Sequence, residues 1–208
     1  IKGVGVVTAS RIVERFGENT LEVLGCDPAR LAEVKGISAK KAAAIGEAYA
    51  ELSEMRELML FLESHGVSSG YATKLQATYG NTAITRIKEN PYSLANDVTG
   101  IGFKTADRIA MAMGMERDCN ERIIAGLSYA LTQAAAAGHT CVAEELLVRE
   151  TERALMIDSM QVQEVFAELL NRDLLRTEEV SGMRLIYPEY LYKAEVGTAR
   201  RLLALRDR

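Results

Sequence analysis

The segment VKGISAKKAAAIG, residues 34–46, decides the fold of this chain, and its pattern returns as VTGIGFKTADRIA at residues 98–110. In both copies a glycine precedes an isoleucine and a second small residue. The first glycine can adopt a positive φ and end one helix, and the small residue lets the backbone turn at once into the next helix. An alanine and an isoleucine three residues apart then share one helical face. Each segment therefore predicts two helices joined by a very short turn.

A longer repeat surrounds these segments, because residues 3–12 align with residues 66–75 at an offset of 63. The alignment continues, with one inserted residue, through the pairs Phe16 and Tyr79, Pro28 and Pro91, Leu31 and Leu94, and Gly36 and Gly100. One unit thus occurs twice, at residues 1–56 and 57–117. Each copy holds two glycine turns, at Gly3 and Gly36 and at Gly66 and Gly100. We expect five short helices around one small core in each copy.

A connector helix is predicted between the two turns of each unit. It begins at Asp27-Pro28 in the first copy and at Asn90-Pro91 in the second. Asp and Asn are favoured N-cap residues, and proline is favoured at the first helical position. The dipeptides therefore indicate that Asp27 and Asn90 cap these helices.

Glycine turns of this kind are candidate phosphate sites. A helix N-terminus presents unpaired N–H groups and the positive end of the helix dipole. Lysines and arginines lie near these turns, although Lys74 is the only close cation at the third, where Ser68 and Ser69 replace the tighter glycine. The predicted DNA-binding residues are Gly3, Gly5, Lys35, Gly36, Ser38, Lys40, Lys41, Gly100, Gly102, Lys104, Thr105 and Arg108. Lys2 and Arg11 flank the first turn. The alternative is that the hairpins serve packing alone.

Residues 34–46 and 98–110 resemble the helix-hairpin-helix motif of DNA repair and recombination proteins. Residues 55–110 resemble the N-terminal region of RecD-like (RecD/TraA-type) ATP-dependent DNA helicases, also described as exodeoxyribonuclease V alpha-subunit-like. Residues 64–67, 90–92 and 100–107 carry most of this similarity, which extends through the whole chain. The resemblance implies sequence-independent binding of single-stranded or junction DNA, in recombination and repair, beside a 5′→3′ motor that uses ATP and Mg²⁺.

That motor is expected outside this chain. A P-loop requires Gly-Lys followed by Ser or Thr, and the sequence contains no Gly-Lys dipeptide. Lys104-Thr105 imitates the end of a P-loop, but Phe103 stands in place of its last glycine. We therefore predict no ATP hydrolysis and no catalytic group in this chain. Ile1 in place of methionine and a helical run up to Arg208 suggest that the protein continues at both ends.

The C-terminal half predicts a different module. The predicted elements are a helix over 121–138 ended by Gly138, a short strand at 140–142, helices at 143–155 and 159–171, and a hairpin that joins 174–176 to 183–187 through Ser181-Gly182. This order suggests a winged-helix-like module over 118–188, followed by a helix, 189–208, that leads toward the motor. The predicted fold is mainly α: tandem helix-hairpin-helix units followed by a winged-helix-like α+β module. Glu164 and Glu168 make helix 159–171 a poor reader of DNA grooves, so packing against the motor is the favoured role for this half.

Charge and cysteine content agree with these expectations. The net charge of −4 hides an asymmetry, since residues 1–117 hold 14 basic and 14 acidic side chains and residues 118–208 hold 11 and 15. Cys26, Cys119 and Cys141 are widely spaced, which favours reduced thiols over a disulfide or zinc site. No membrane span or signal peptide is predicted, and a cytoplasmic location follows from the reduced thiols.

Two other functions remain open at this stage. The chain can be a protein-interaction scaffold whose hairpins contact the motor or a partner. It can also be a DNA-repair glycosylase, in which a catalytic aspartate follows a helix-hairpin-helix; Asp118 lies 18 residues after Gly100. No Gly/Pro-rich loop precedes Asp118, and the run Cys119-Asn120-Glu121 indicates the start of a helix instead.

Overall fold

The computed structural model describes residues 4–206, which form a mainly α-helical chain with one small antiparallel sheet near its C-terminal end. Tandem helix-hairpin-helix elements come first and an α+β module follows, so the predicted fold class is confirmed. The chain divides into two compact units, Ile1–Arg86 and Ile87–Arg208. Within residues 4–206, no helix has the length and apolar character that crossing a membrane requires.

The helices of the first unit are α1 (Val6–Phe16), α2 (Thr20–Cys26), α3 (Ala39–Ser64), α4 (Ala72–Tyr79) and α5 (Ala83–Glu89), the last of which continues into the second unit. Short 3₁₀ segments connect them at Gly17–Asn19, Pro28–Glu33, Ser69–Tyr71 and Gly80–Thr82. The first core consists of the buried residues Ile12, Phe16, Val23, Leu24, Leu31, Val34, Ile37, Ala42 and Ile45. Both residues 34 and 37 belong to this core, so the second glycine turn is anchored on each side of Gly36.

The 63-residue offset of the sequence is also a repeat of backbone conformation. Gly17 ends α1 at φ 55° and ψ −129°, and Gly80 ends α4 at φ 56° and ψ −138°. The positive φ explains why glycine holds both positions. Leu31 and Leu94 are both fully buried. The two copies thus use equivalent residues for the same structural tasks.

Both connectors begin as 3₁₀ segments, the second of which continues as a short α-helix at Leu94–Asp97, and their N-caps differ in the two copies. Asn90 caps Pro91–Ser93 as predicted, since its Oδ1 accepts a hydrogen bond from the Tyr92 N–H at 3.0 Å. Asp27 also takes the predicted N-cap position, with Pro28 first in the segment Pro28–Glu33, but its side chain makes no capping hydrogen bond. The same residue closes the preceding helix, as its N–H donates to the Val23 carbonyl at 3.2 Å.

Helix α3 corrects the prediction of five short helices in each copy of the sequence repeat. It is 26 residues long and forms both the second helix of the second hairpin and the first helix of the third. Its buried residues lie at its two ends, with Ala42, Ile45 and Gly46 at one and Leu58 and Leu62 at the other. The middle is rich in Ala, Glu, Leu and Met, which favour a helix without burial. The predicted boundary between residues 56 and 57 therefore lies inside a helix.

The second unit contains α6 (Leu94–Asp97), α7 (Phe103–Ala112), α8 (Asn120–Ala136), α9 (Glu144–Leu155), α10 (Ser159–Asn171) and α11 (Glu189–Arg206), with a 3₁₀ segment at Pro91–Ser93. Its strands are β1 (Val142–Ala143), β2 (Arg176–Val180) and β3 (Met183–Tyr187), in the antiparallel order β1-β3-β2. Ser181 and Gly182 have φ values of 53° and 77°, as a two-residue type I′ hairpin requires. Each element lies within a few residues of its predicted position; the first strand is Val142–Ala143 in place of 140–142, and β2 begins only at Arg176.

The α+β module packs its three helices and the sheet around one apolar core. Buried residues of this core include Ile123, Leu127, Leu147, Leu155, Val162, Phe166 and Ile186. Helices α8 and α9 approach closely at Gly126, where an added Cβ would lie 2.8 Å from a methyl carbon of Leu155. The order α8-β1-α9-α10-β2-β3 is that of a winged helix, with β2 and β3 as the wing.

Candidate nucleic-acid interface

The second glycine turn is held by hydrogen bonds within the turn, and it also offers backbone N–H donors at the start of α3. Gly36 has a φ of 93°, and the N–H of Ile37 donates to the carbonyl of Val34 at 3.1 Å. Ser38 caps α3, because its hydroxyl oxygen accepts a hydrogen bond from the Lys41 N–H at 3.2 Å. The N–H groups of Ala39 and Lys40 come before the first intrahelical bonds, and both residues are exposed. These two amides are the donors that the turn offers.

The fourth turn repeats this geometry in the second unit. Gly100 has a φ of 92°, and the N–H of Ile101 donates to the carbonyl of Val98 at 3.0 Å. Gly102 takes the N-cap position of α7, and its carbonyl accepts the first bond, from the Thr105 N–H at 3.0 Å. The amides of Phe103 and Lys104 precede that bond. The second and fourth turns are thus two copies of one arrangement.

The cations predicted for these turns lie mostly at the surface. Lys35, Lys40, Lys104 and Arg108 are exposed, and Lys41 is half-buried. Thr105, which was predicted as a contact, is half-buried and begins the hydrogen-bond pattern of α7. Each turn therefore combines first-turn amides with positive side chains that can reach solvent.

Arg11 belongs to the second turn, although its position in the sequence suggested the first. Its Nη1 donates to the carbonyl of Lys35 at 3.3 Å, and an added Cβ on Gly36 would lie 3.5 Å from the same nitrogen. The guanidinium remains exposed. Because 24 residues separate Arg11 from Lys35, only the packing of α1 against the turn reveals this relationship.

The first turn is only partly described. Gly3 and Lys2 lie outside the described residues, whereas Gly5 takes the N-cap position of α1 and accepts a bond from the Ala9 N–H at 2.9 Å. Val6 and Val7 follow at the surface, with 84% and 65% of their area exposed. The described part of this turn thus presents apolar side chains beside its first amides.

The third turn differs from the second and fourth. Gly66 has a φ of 69°, and the hydroxyl oxygen of Ser68 accepts a hydrogen bond from the Gly70 N–H at 3.2 Å. A 3₁₀ segment, Ser69–Tyr71, follows before α4 begins. One of its leading amides is thus occupied by its own serine, which agrees with the serines that set this turn apart in the sequence.

A buried polar network behind the fourth turn was missed by sequence reasoning. Arg122 is 5% exposed and pairs with Asp107, with Nε to Oδ1 at 2.8 Å and Nη2 to Oδ2 at 3.1 Å. The hydroxyl of Tyr92 donates to Oδ1 of Asp107 at 2.9 Å. Burial, followed by this hydrogen bond, raises the pKa of Tyr92 well above its ordinary value. The bond to Asp107 raises the pKa of Arg122. The network joins the connector, α7 and α8.

The repeated turns, the connectors and the shared helix define this chain as a tandem helix-hairpin-helix protein. Residues 1–49 match the SAM-like helix-hairpin-helix tandem family, and residues 51–141 match the helix-hairpin-helix domain of ATP-dependent RecD2 DNA helicases. A curated relative, the ATP-dependent RecD2 DNA helicase of Deinococcus radiodurans, is 31% identical over 141 residues, which are 67% of this chain and 20% of that protein. The chain therefore contains a helix-hairpin-helix region that is similar to that of RecD2 helicases. It spans about a fifth of the length of that relative.

Proposed function

We propose that this chain binds the DNA sugar–phosphate backbone without reading base sequence, as the accessory region of an ATP-dependent DNA helicase. The second and fourth turns are the main contacts. ATP and Mg²⁺ belong, in this proposal, to a 5′→3′ motor domain elsewhere in the same protein. The similarity to a RecD2 helicase supports the assignment to a helicase accessory region. The proposed setting is DNA recombination and repair in the cytoplasm.

The observation that carries the proposal is the identity of the two turns. Gly36 and Gly100 differ by one degree in φ, and the isoleucine that follows each makes the same hydrogen bond at 3.1 and 3.0 Å. Packing alone would require buried side chains at the turns, but it would not require exposed lysines beside uncapped amides. A phosphate group would bind to both the amides and the lysines, since its oxygens accept N–H hydrogen bonds and its negative charge attracts cations.

The net charge of −4 does not argue against DNA binding, because the acidic excess lies away from the two turns in the sequence. Residues 1–117 carry no net charge, and the acidic excess lies in residues 118–208. Phosphate binding depends on cations gathered near the amides rather than on the total charge of the chain. Lys35 and Lys40 flank the second turn, and Lys104 and Arg108 flank the fourth.

Charge reversal at the two turns tests this proposal. The variants are Lys40→Glu with Lys41→Glu, Lys104→Glu with Arg108→Glu, and the control Arg200→Glu with Arg201→Glu on exposed positions of α11. Fluorescence anisotropy with two unrelated oligonucleotides would measure affinity across a range of salt concentrations. For the unaltered chain we expect a Kd of roughly 10⁻⁴ to 10⁻⁶ M at physiological salt and a log–log slope of about −0.7 to −0.9 for each phosphate neutralised.

Both turn variants should weaken binding to the two oligonucleotides by the same factor and reduce the salt slope. The α11 control should change both quantities less. A loss that depends on base sequence would contradict phosphate recognition. Equal losses in all three variants would show a general charge effect and would remove the turns from the proposal.

A second function, protein docking, is favoured for the α+β module by its surface charge. In a winged helix, α10 and the wing are the DNA-reading elements, but here they expose acidic residues. These exposed residues are Glu164, Glu168, Glu178 and Glu179. Helix α11 also exposes Leu202, Leu203 and Leu205 at 62%, 49% and 64%. The motor of the same protein is the proposed partner.

Calorimetric titration of this chain with the separately produced motor domain would test docking. Heat of binding that disappears in a Leu202→Glu, Leu205→Glu variant would support it. An undiminished signal in that variant would exclude this face of α11. If the chain bound the motor tightly but showed no DNA affinity at low salt, the scaffold role would replace the DNA-binding role.

A further inference from the structure

A groove of about 420 Å³ lies beside the fourth turn, between the start of α7 and one face of α8. Gly102 and Phe103 of the turn line one side, and Ser128 and Tyr129 of α8 line the other. The groove therefore shares residues with the proposed phosphate site. A strand whose phosphate lies on the amides of Phe103 and Lys104 has its attached base within reach of this groove.

A row of aromatic rings forms one wall of the groove. Tyr92 stacks on Phe103 with ring centroids 6.0 Å apart and planes 18° apart, and Phe103 stacks on Tyr129 at 4.9 Å and 23°. Tyr92 and Phe103 are buried, whereas Tyr129 is only partly buried. Within residues 4–206, no further aromatic ring follows Tyr129 in the row. A nucleobase can extend such a row, because stacking on aromatic side chains is a common mode of single-strand binding.

The rest of the groove offers hydrogen-bonding side chains. Asn96, Ser128, Thr132, Gln133 and Glu121 line it, and all five are exposed. Amides and hydroxyls both donate and accept, so they suit the edges of several bases. In a duplex these edges are paired and the base faces are covered, so only an unpaired base fits this environment.

The first repeat has alanines in place of both buried rings. Alignment of the copies places Ala29 opposite Tyr92 and Ala39 opposite Phe103. The second turn thus has the amides and cations without the aromatic row. A contact with the phosphate backbone alone would not require this difference between two otherwise matching turns.

From the groove, the aromatic row and the difference between the repeats, we infer that the fourth hairpin holds an unpaired nucleobase of single-stranded DNA against Tyr129. The second hairpin holds backbone only. This inference rests on the proposed DNA-binding function and specifies its substrate. It predicts that the chain prefers single strands to duplex of the same length, although the duplex has the higher charge density.

The test compares affinities for a single-stranded oligonucleotide and its duplex. Ser128→Trp fills the groove from an exposed position of α8, and Ala136→Trp introduces the same residue at an exposed position that does not line it. Tyr129→Ala removes the last ring, and Tyr129→Phe retains it. A 2-aminopurine base in the single strand reports stacking through loss of its fluorescence.

We expect Ser128→Trp and Tyr129→Ala to weaken single-strand binding about tenfold, which corresponds to the loss of one stacked base. Duplex binding should change little, and Tyr129→Phe and Ala136→Trp should resemble the unaltered chain. Quenching of 2-aminopurine should diminish with the affinity. Equal affinity for single and double strands, or equal losses on both, would overturn the groove assignment while the backbone proposal stands. Absence of all DNA binding by the unaltered chain at low salt would overturn both.

Discussion

The guanidinium of Arg122 holds the carboxylate of Asp107 through two parallel hydrogen bonds, Nε to Oδ1 at 2.8 Å and Nη2 to Oδ2 at 3.1 Å. The third nitrogen, Nη1, donates to the carbonyls of Arg117 and Leu155 at 2.7 and 3.1 Å. The Arg122 side chain, on α8, therefore forms hydrogen bonds to α7, to the segment between α7 and α8, and to the end of α9. The helix that begins at the fourth turn is positioned from behind by this pair.

Removing one partner of this pair should strongly destabilise the second unit. Arg122→Ala leaves the Asp107 carboxylate without its main partner, and the loss of one member of a buried pair costs about 3–5 kcal/mol. Urea unfolding followed by circular dichroism would measure the change. Arg172→Ala is the control, because its pair with Glu168 at 3.0 Å is exposed and should contribute at most about 1 kcal/mol. Similar costs for the two variants would contradict the structural role of Arg122.

The same substitution at two glycines of the fourth turn should affect stability differently. Gly100 has a φ of 92°, so Gly100→Ser should cost about 1–2 kcal/mol. Gly102 has a φ of −101°, and an added Cβ there meets no atom within 4 Å. Gly102→Ser supplies a capping hydroxyl, as Ser38 does in the second turn, and should retain or raise stability. Thermal unfolding of the two variants would check this, and a larger loss at Gly102 would refute the described turn.

Two glycines of the first unit should also respond differently to alanine. In Gly46→Ala the new Cβ collides with Cβ of Pro28 and lies 2.7 Å from its Cγ. The proline ring is rigid, so overpacking of about 1–3 kcal/mol is expected. Gly25→Ala meets only Tyr49 Cε1 at 3.5 Å and should gain about 0.5–1 kcal/mol from helix propensity. Chemical denaturation would give both signs, and a neutral Gly46→Ala would mean that the contact with Pro28 is looser than described.

Arg11 should contribute to DNA affinity through the second turn. Arg11→Glu places a negative charge beside Lys35 and should weaken binding several-fold, with a smaller salt slope. Arg15→Glu on the same helix is the control, because Arg15 is engaged with Glu33 at 2.8 Å. Anisotropy titrations would compare the two. A greater effect at Arg15 would indicate that DNA approaches a different face of α1.

The elements that sequence predicted well depend on local rules. Positive φ at Gly36 and Gly100, the cap at Asn90 and the hairpin at Ser181-Gly182 each follow from the residue itself and its nearest neighbours. The helices and strands of the α+β module were predicted from periodicity and turn residues in the same way. Short-range geometry is encoded at short range, so one sequence is sufficient to find it.

The features that escaped prediction depend on contacts between distant residues. Arg11 donates a hydrogen bond to the carbonyl of Lys35, and Arg122 pairs with Asp107. Both contacts arise from packing that residue spacing does not predict. Asp27 takes the N-cap position that its residue type predicts, but its side chain makes no capping bond. The aromatic row at Tyr129 joins three separate elements, so its rings appear in the sequence only as isolated aromatic residues.

The length of helix α3 determines how far the third hairpin is rotated about the helix axis relative to the second. At about 1.5 Å per residue its 26 residues form a rod of roughly 39 Å, and each residue adds about 100° of rotation. One residue inserted near Leu52 would thus rotate the third hairpin by a quarter of a revolution or more about the helix axis relative to the second. Insertions of close to a whole helical turn would restore the direction and lengthen the rod. The number of residues in α3 therefore determines the rotation of the third hairpin relative to the second as well as the distance between them.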